Sequence, residues 1–282
     1  MTFIQNTLKT FNTTAMNLIP LTSPLRRSHL LEQVHEHVLG LKNLEQLNLP
    51  HSNTHNHYKK NIKNHTSSPY RLHITVPKVR SLCGKIFAAN NPELHLQAWH
   101  DIYHHSPYFE VMSLAIYHFQ HRSLSVKEGL CLLTWIERCC LWEHSDDLSK
   151  IYAQLIEDHP KQFYPHLKAW NKDPSLWKRR QSLVSLIEYA RKRKRVLPFH
   201  KMRIMIDGCL DDKEYYVQKG LGWTLREMYN LYKQETLDYI QKHLHVISPI
   251  AYSAATEKLP AKLRASFREQ RKQHRKTSSA TS

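Results

Sequence analysis

The sequence predicts an all-α protein, built as an α-solenoid of consecutive short antiparallel helices. Three observations predict it. Only 6 of the 282 residues are glycine, so the tight turns of a many-stranded sandwich or barrel are missing. Apolar residues recur at helical spacing along most of the chain. Prolines such as Pro77, Pro92, Pro107, Pro160, Pro165, Pro174, Pro198 and Pro249 fall at the ends of the periodic stretches, where proline is tolerated. No strict repeat is visible, so the solenoid rests on helix spacing alone.

Residues 25–47 carry Leu30, Leu31, Val34, Val38 and Leu41 at helical spacing and form the first expected helix. A polar stretch over 50–69 follows. It holds His51, His55, His57 and His65, whose irregular spacing fits a solvated loop better than a metal site. Further helices are expected over 77–89, 93–104, 108–121, 126–140, 145–157, 162–170, 176–193, 199–210, 213–233, 234–243 and 250–273. Beyond 277 a disordered tail is expected. The chain then divides into an N-terminal region (1–69), a repeat domain (70–276) and the tail (277–282).

Charge is the strongest compositional signal. Forty-one Lys and Arg against 24 Asp and Glu leave a formal net of +17. A surplus of that size points to a polyanion, because each neutralised phosphate releases condensed counterions. Nucleic acid ranks first, an anionic membrane surface second, and charge that serves only solubility third. The cations cluster at Lys178, Arg179 and Arg180, at 191–195, and over 258–276, where eight Lys or Arg face only Glu269. On one half of a solenoid they make a positive groove. The 21 histidines add charge near pH 6, where binding to such a partner should strengthen.

Other classes are disfavoured. The five cysteines are odd in number, with no CxxC pair and no zinc-type spacing, so neither a disulfide scaffold nor a metal site is expected. No cofactor motif is present. Residues 1–20 lack the basic start and apolar core of a signal peptide, and no apolar run reaches the roughly 18–20 residues of a membrane span. A soluble intracellular protein is expected.

The helix over 213–233 carries two stripes. Val217, Leu221, Leu225 and Met228 form an apolar face; Tyr216, Lys219, Trp223 and Arg226 form another. At ~100° per residue, Trp223 lies about 160° from Leu221. A tryptophan between Lys219 and Arg226 either packs on an adjacent repeat or faces a ligand. Gly220 and Gly222 each weaken the helix by about 1 kcal/mol relative to alanine, which implies a close backbone approach there. In the helix over 145–157, Trp142 and Asp146 share a face if the helix extends back to Trp142. The competing reading makes Ser145 an N-cap with Asp146 and Asp147 in the first turn. Trp177, with Arg179 and Arg180, is a third aromatic and basic cluster.

The stretch DDKEYYVQKGLGWTLRE (211–227) resembles the signature helix of the AlkD-like DNA alkylation repair family, close to FxxKAxGWxLRE. LWEHSDDLS (141–149) resembles that family's NWxxxD segment, and DPSLWKRR (173–180) its SxxxWxxR segment. All three occur in the family's order, and a weaker similarity runs from about 76 to 263. Leu141 stands where the family has asparagine, and Gly220 where it has alanine.

The resemblance implies HEAT-like repeats curved into a superhelix, with duplex DNA in a concave basic groove. It implies a monofunctional glycosylase that excises cationic N-alkylpurines such as N3-methyladenine and N7-methylguanine, leaving an abasic site. By motif, Trp142, Trp223 and Asp146 are the catalytic residues. Arg180 contacts the DNA, with Arg179, Lys219, Arg226, Tyr216 and Trp177 around it. No metal or cofactor is implied, and the setting is a cytoplasmic, nucleoid-associated monomer. The alternative is a non-catalytic HEAT-like protein that binds damaged or branched DNA; a solenoid scaffold for protein partners is a third reading.

Overall fold

The computed structural model describes residues 27–40, 68–83, 86, 92–120, 122–188 and 190–280, and among these it has thirteen α-helices and no strand. Almost all of the polar stretch expected over 50–69 lies outside the described residues, as do residues 1–26 and 281–282. In chain order the helices are α1 (Arg27–Leu39), α2 (Val76–Ser81), α3 (Pro92–His105), α4 (Phe109–Phe119) and α5 (Val126–Leu133). Then come α6 (Trp142–Asp158), α7 (Pro160–Trp170), α8 (Leu176–Val184) and α9 (Phe199–Cys209). The chain closes with α10 (Tyr215–Tyr229), α11 (Lys233–Lys242), α12 (Pro249–Thr256) and α13 (Ala261–Ala280). None of the helices among the described residues is long and apolar enough to cross a membrane.

The helix expected over 77–89 stops at Ser81, and three others end differently for causes visible in the structure. The one over 126–140 tightens after Leu133 into a 3₁₀ turn (Thr134–Arg138), where the Thr134 hydroxyl bonds back to Cys131 O at 2.7 Å. The one over 176–193 stops at Val184. Beyond it, Glu157 Oε1 accepts the backbone N–H groups of Lys194 and Arg195 at 2.8 and 3.1 Å, so a distant carboxylate replaces helical acceptors. The one over 250–273 is two helices, because Pro260 has no N–H to give and disfavours a helical Leu259 before it.

The described helices belong to two compact units. The first contains α1 to α4 and Leu130–Cys140. Aromatic rings dominate its core: Tyr103 stacks on Trp135 with centroids 4.3 Å apart, and Phe119 meets the same indole edge-on at 5.7 Å. The Glu110 carboxylate accepts the backbone N–H of Leu72 at 2.8 Å and of Ile74 at 3.3 Å, tying the segment before α2 to α4. His118 stacks on Trp99 at 4.7 Å and accepts from Arg122 at 2.5 Å.

The second unit contains Ser123–Gly129 and the chain from Leu141 onward. Here α6, α8, α10 and α12 pack each against the next in one row, while α7, α9 and α11 pack on members of that row. The row is drawn tight at α10. A Cβ on Gly222 would lie 2.3 Å from Ala251 O and 2.7 Å from Ala254 Cβ, both on α12. A Cβ on Gly220 would lie 3.2 Å from Val184 Cγ1 and 3.2 Å from Arg180 Nη1, both on α8. The close approach expected at these two glycines is therefore made by neighbouring helices. Asn171 pins the second layer, donating to Ser182 Oγ at 2.8 Å and to Met205 O at 3.0 Å.

Two predictions follow from this packing. Gly222→Ala inserts a methyl against backbone, which cannot give way as a side-chain tip can. It should lower unfolding free energy by about 3 kcal/mol, the upper end of overpacking costs, read as a shift in the urea midpoint. An unchanged midpoint would show that α10 and α12 are not this close.

The second concerns acid. Burial, reinforced by Arg122 and His95, holds His118 down to about 3; burial, then His100, Arg138 and His105, hold His104 down to about 4. The unfolded chain takes up these protons near 6.5 and the folded chain does not. Stability is thus complete above 6.5 and falls as pH drops toward 4. From pH 7 to 5 His118 should account for about 1.5–2 kcal/mol of the loss. His118→Phe keeps the stacking and should remove that share; an equal loss in both proteins would refute it.

Candidate functional site

Three helices of the second unit's row carry every site residue expected from sequence. On α6 the decisive fact is where the helix begins. It starts at Trp142, three residues ahead of Ser145, and Ser145 is fully buried inside it instead of capping it. Trp142 and Asp146 therefore occupy one face, a turn apart. Trp142 is 39% exposed and the Asp146 side chain 33%. Asp147 turns aside to pair with Lys150 at 2.7 Å.

On α10 the two stripes separate as their spacing requires. Val217, Leu221, Leu225 and Met228 are fully buried, whereas Lys219 is exposed and Tyr216, Trp223 and Arg226 are half-buried. Arg226 reaches Glu257, just past α12, in a short ion pair.

Arg180 on α8 joins the other two helices. Its guanidinium donates from Nη2 to Asp146 Oδ1 at 2.5 Å and from Nη1 to Tyr216 O at 2.7 Å, and the residue is only 4% exposed. Its stem crosses α10 at Gly220, where the missing Cβ leaves the space. Gln181, next in sequence, repeats the link by donating to Ser145 O at 2.7 Å. Trp177 is buried and packs on the Tyr216 ring at 5.2 Å.

Arg179 points elsewhere. It donates to Asp212 Oδ2 at 2.6 Å and to Asp173 O at 2.9 Å. Burial pulls its pKa down, but the Asp212 hydrogen bond and charge outweigh that and hold it above the ordinary arginine value. Within the cationic run over 191–195, Arg193 is likewise engaged, pairing with Glu188 at 3.1 Å and with Glu157 at 3.4 Å, whereas Lys192, Lys194 and Arg195 are exposed. Burial pushes Glu188 up to about 7 against the pull of Arg193 and Lys150.

Asp146, Arg180 and Tyr216 thus form one connected group, with Trp142 on the face of Asp146 and Lys219 and Trp223 on the face of Tyr216. Sequence reasoning missed the partners: Asp212 for Arg179, Glu257 for Arg226, and Gln181 as the second tie between α8 and α6. Only Gln181 carried a signal, its adjacency to Arg180. Among the described residues, no group of three or more His, Cys, Asp or Glu side chains is placed to hold a metal ion.

By fold and site the class is an all-α protein with a carboxylate, a buried arginine and two partly exposed tryptophans on adjacent helices of one row. The model of the DNA alkylation repair enzyme family matches residues 43–259, and the chain belongs to that family. Two solved structures share the fold: AlkD2 from Streptococcus mutans (TM-score 0.51, 18% identity, 66% of this chain and 91% of that one) and smu.31 from Streptococcus mutans UA159 (TM-score 0.50, 18% identity, 65% and 92%). At that identity the likeness is one of fold. No curated protein is significantly similar in sequence.

The ion pair has a consequence for stability. Asp146→Asn keeps an amide oxygen that can accept from Arg180 but removes the counter-charge, leaving the guanidinium charge buried with neutral acceptors only. Since Asp146 is a third exposed, the cost is discounted from that of a fully buried pair to about 1–2 kcal/mol. Adding Arg180→Met should recover part of it in urea unfolding. Failure to recover any would mean that the stranded charge is not the cause.

Proposed function

We propose that this protein is a monofunctional DNA glycosylase that excises cationic N-alkylpurines, N3-methyladenine and N7-methylguanine, from duplex DNA and leaves an abasic site. The observation that carries the reading is Asp146: a carboxylate still open to solvent, oriented by the buried Arg180, and one helical turn from the exposed Trp142.

The chemistry suits these groups. Alkylation places a positive charge on the base and weakens its glycosidic bond, so little acid catalysis is needed. As the bond breaks, positive charge grows on the deoxyribose, and a fixed carboxylate stabilises it electrostatically. Asp146 also accepts a proton from the attacking water, which adds to the sugar as the neutral base leaves. The faces of Trp142 and Trp223 attract the cationic base and sugar, each worth about 0.5–2 kcal/mol depending on desolvation. With both Nη atoms already engaged, Arg180 serves this reading better as the residue that orients Asp146 than as a phosphate clamp. Lys219 is exposed on the Trp223 face and suited to a backbone phosphate. The row of α6, α8, α10 and α12, backed by the other helices, supports HEAT-like repeats as the frame, with duplex DNA along their basic face.

The test is base release from a duplex carrying a single N7-methylguanine. Wild type should release it, and Asp146→Asn, confirmed folded by circular dichroism, should lose at least a hundredfold in single-turnover rate, as loss of an electrostatic stabiliser does. Salt-sensitive binding to the same duplex without release would instead make the protein a non-catalytic reader of damaged or branched DNA.

A further inference from the structure

The arginines on and around the site's helices are largely occupied. Arg180 is held by Asp146, Arg179 by Asp212, Arg226 by Glu257, and Arg193 by Glu157 and Glu188. A chain with a net of +17 must display its surplus elsewhere. One helix does so. It lies wholly past the residues matched by the family model, which end at 259.

That helix is α13. One face docks it: Phe267 is 2% exposed, Gln270 Oε1 accepts from Gln241 at 2.6 Å, Arg271 donates to Ile247 O at 2.9 Å and its guanidinium covers the Tyr252 ring at 4.5 Å. His274 stacks on His245 at 3.8 Å. The spacing of these residues is a single helical face. Lys262, Arg268 and Lys272 lie within an arc of about 120° on the other side. All three are exposed, and none pairs with an acid among the described residues. The start of the helix is tied to the site's surface. Arg264 donates to Glu257 O at 3.2 Å, and the Glu257 side chain holds Arg226, one turn along α10 from Trp223.

We infer that α13 is an additional duplex-DNA docking surface, whose Lys262, Arg268 and Lys272 bind backbone phosphates beside the candidate site independently of base sequence. This deepens the glycosylase reading and rests on its choice of duplex DNA as partner. The dimensions agree: Lys262 to Lys272 spans about 15 Å of helix, and duplex DNA presents a charge every ~1.7 Å along its axis. A membrane does not fit, because the large apolar side chain Phe267 is spent on docking and the exposed arc has none to insert.

The experiment is the affinity of the full chain for an unmodified duplex as a function of salt, which excision does not enter. The variant Lys262→Gln/Arg268→Gln/Lys272→Gln leaves Phe267 and Arg271 in place, so the helix stays docked and the thermal midpoint should hold. Each lost phosphate contact removes about 0.9 from the slope of log affinity against log salt. The slope should therefore fall by about 2–3 in magnitude, with at least tenfold weaker binding near 0.1 M salt. The charge-preserving Lys262→Arg/Arg268→Lys/Lys272→Arg should keep the wild-type slope. An unchanged slope in the Gln variant overturns the inference, as does an equal loss in the charge-preserving variant. Wild-type binding to vesicles containing phosphatidylserine, but not to duplex, overturns it in favour of a membrane. A glycosylase assay that fails while the slope responds as expected would remove the excision reading and leave this surface standing.

Discussion

The second unit depends on α10 lying close to two neighbours at once. Two glycines two residues apart point to different sides of a helix, at ~100° per residue. Gly220 turns to α8 and Gly222 to α12, and each removes a side chain that would collide there. The helix gives up intrinsic stability at both positions, about 1 kcal/mol each against alanine. It regains more through contacts on Val217, Leu221, Leu225 and Met228, all fully buried. A row held by backbone proximity at its centre has little freedom to slide. That rigidity fixes the separation of the helices bearing Asp146 and Trp223.

The same close approach explains how an arginine is buried without being stranded. A guanidinium at 4% exposure needs a counter-charge and acceptors within reach. Asp146 supplies the charge and the Tyr216 carbonyl the second acceptor. Tyr216 lies in the first turn of α10, and its carbonyl accepts the guanidinium Nη1 beside the space left at Gly220. The polar link between α6, α8 and α10 is thus a product of apolar packing. Arg179, one residue earlier, projects about 100° away and meets Asp212 instead. Adjacent arginines in one sequence run therefore do different work, which a count of charge hides.

Much of the fold was legible because it is local. Helical periodicity, scarce glycine and placed prolines specify helices wherever the apolar stripe is regular, and α3, α7, α9, α10 and α11 lie close to their expected ranges. The misjudged ends came from tertiary competitors. Glu157 captures the backbone past α8 from 37 residues away, and no local pattern announces it. Pro260, by contrast, is a local break within an otherwise regular apolar stripe. At the site, the opposite faces of Trp223 and Leu221 followed from spacing alone, whereas Ser145 misled. It is a good N-cap residue by type, yet it lies inside a helix that begins at Trp142. Propensity at one position yielded to burial of His144, Ser145 and Leu148 along the turn.

Burial also decides which charges remain available to a partner. An ion pair such as Arg179 with Asp212 is worth more to the fold than to a ligand, because a phosphate would have to displace a carboxylate already desolvated beside it. The same holds for Arg193 between Glu157 and Glu188. Net charge therefore overstates the binding surface near the tryptophans and understates it at the periphery. Lys219 keeps an exposed charge on the face of Trp223, and Asp146 keeps part of its carboxylate open although Arg180 grips it. On the proposed reading, a duplex would meet unspecific attraction at the edge and sparse, oriented groups at the centre. That division would let many duplex positions be held loosely while few are acted on.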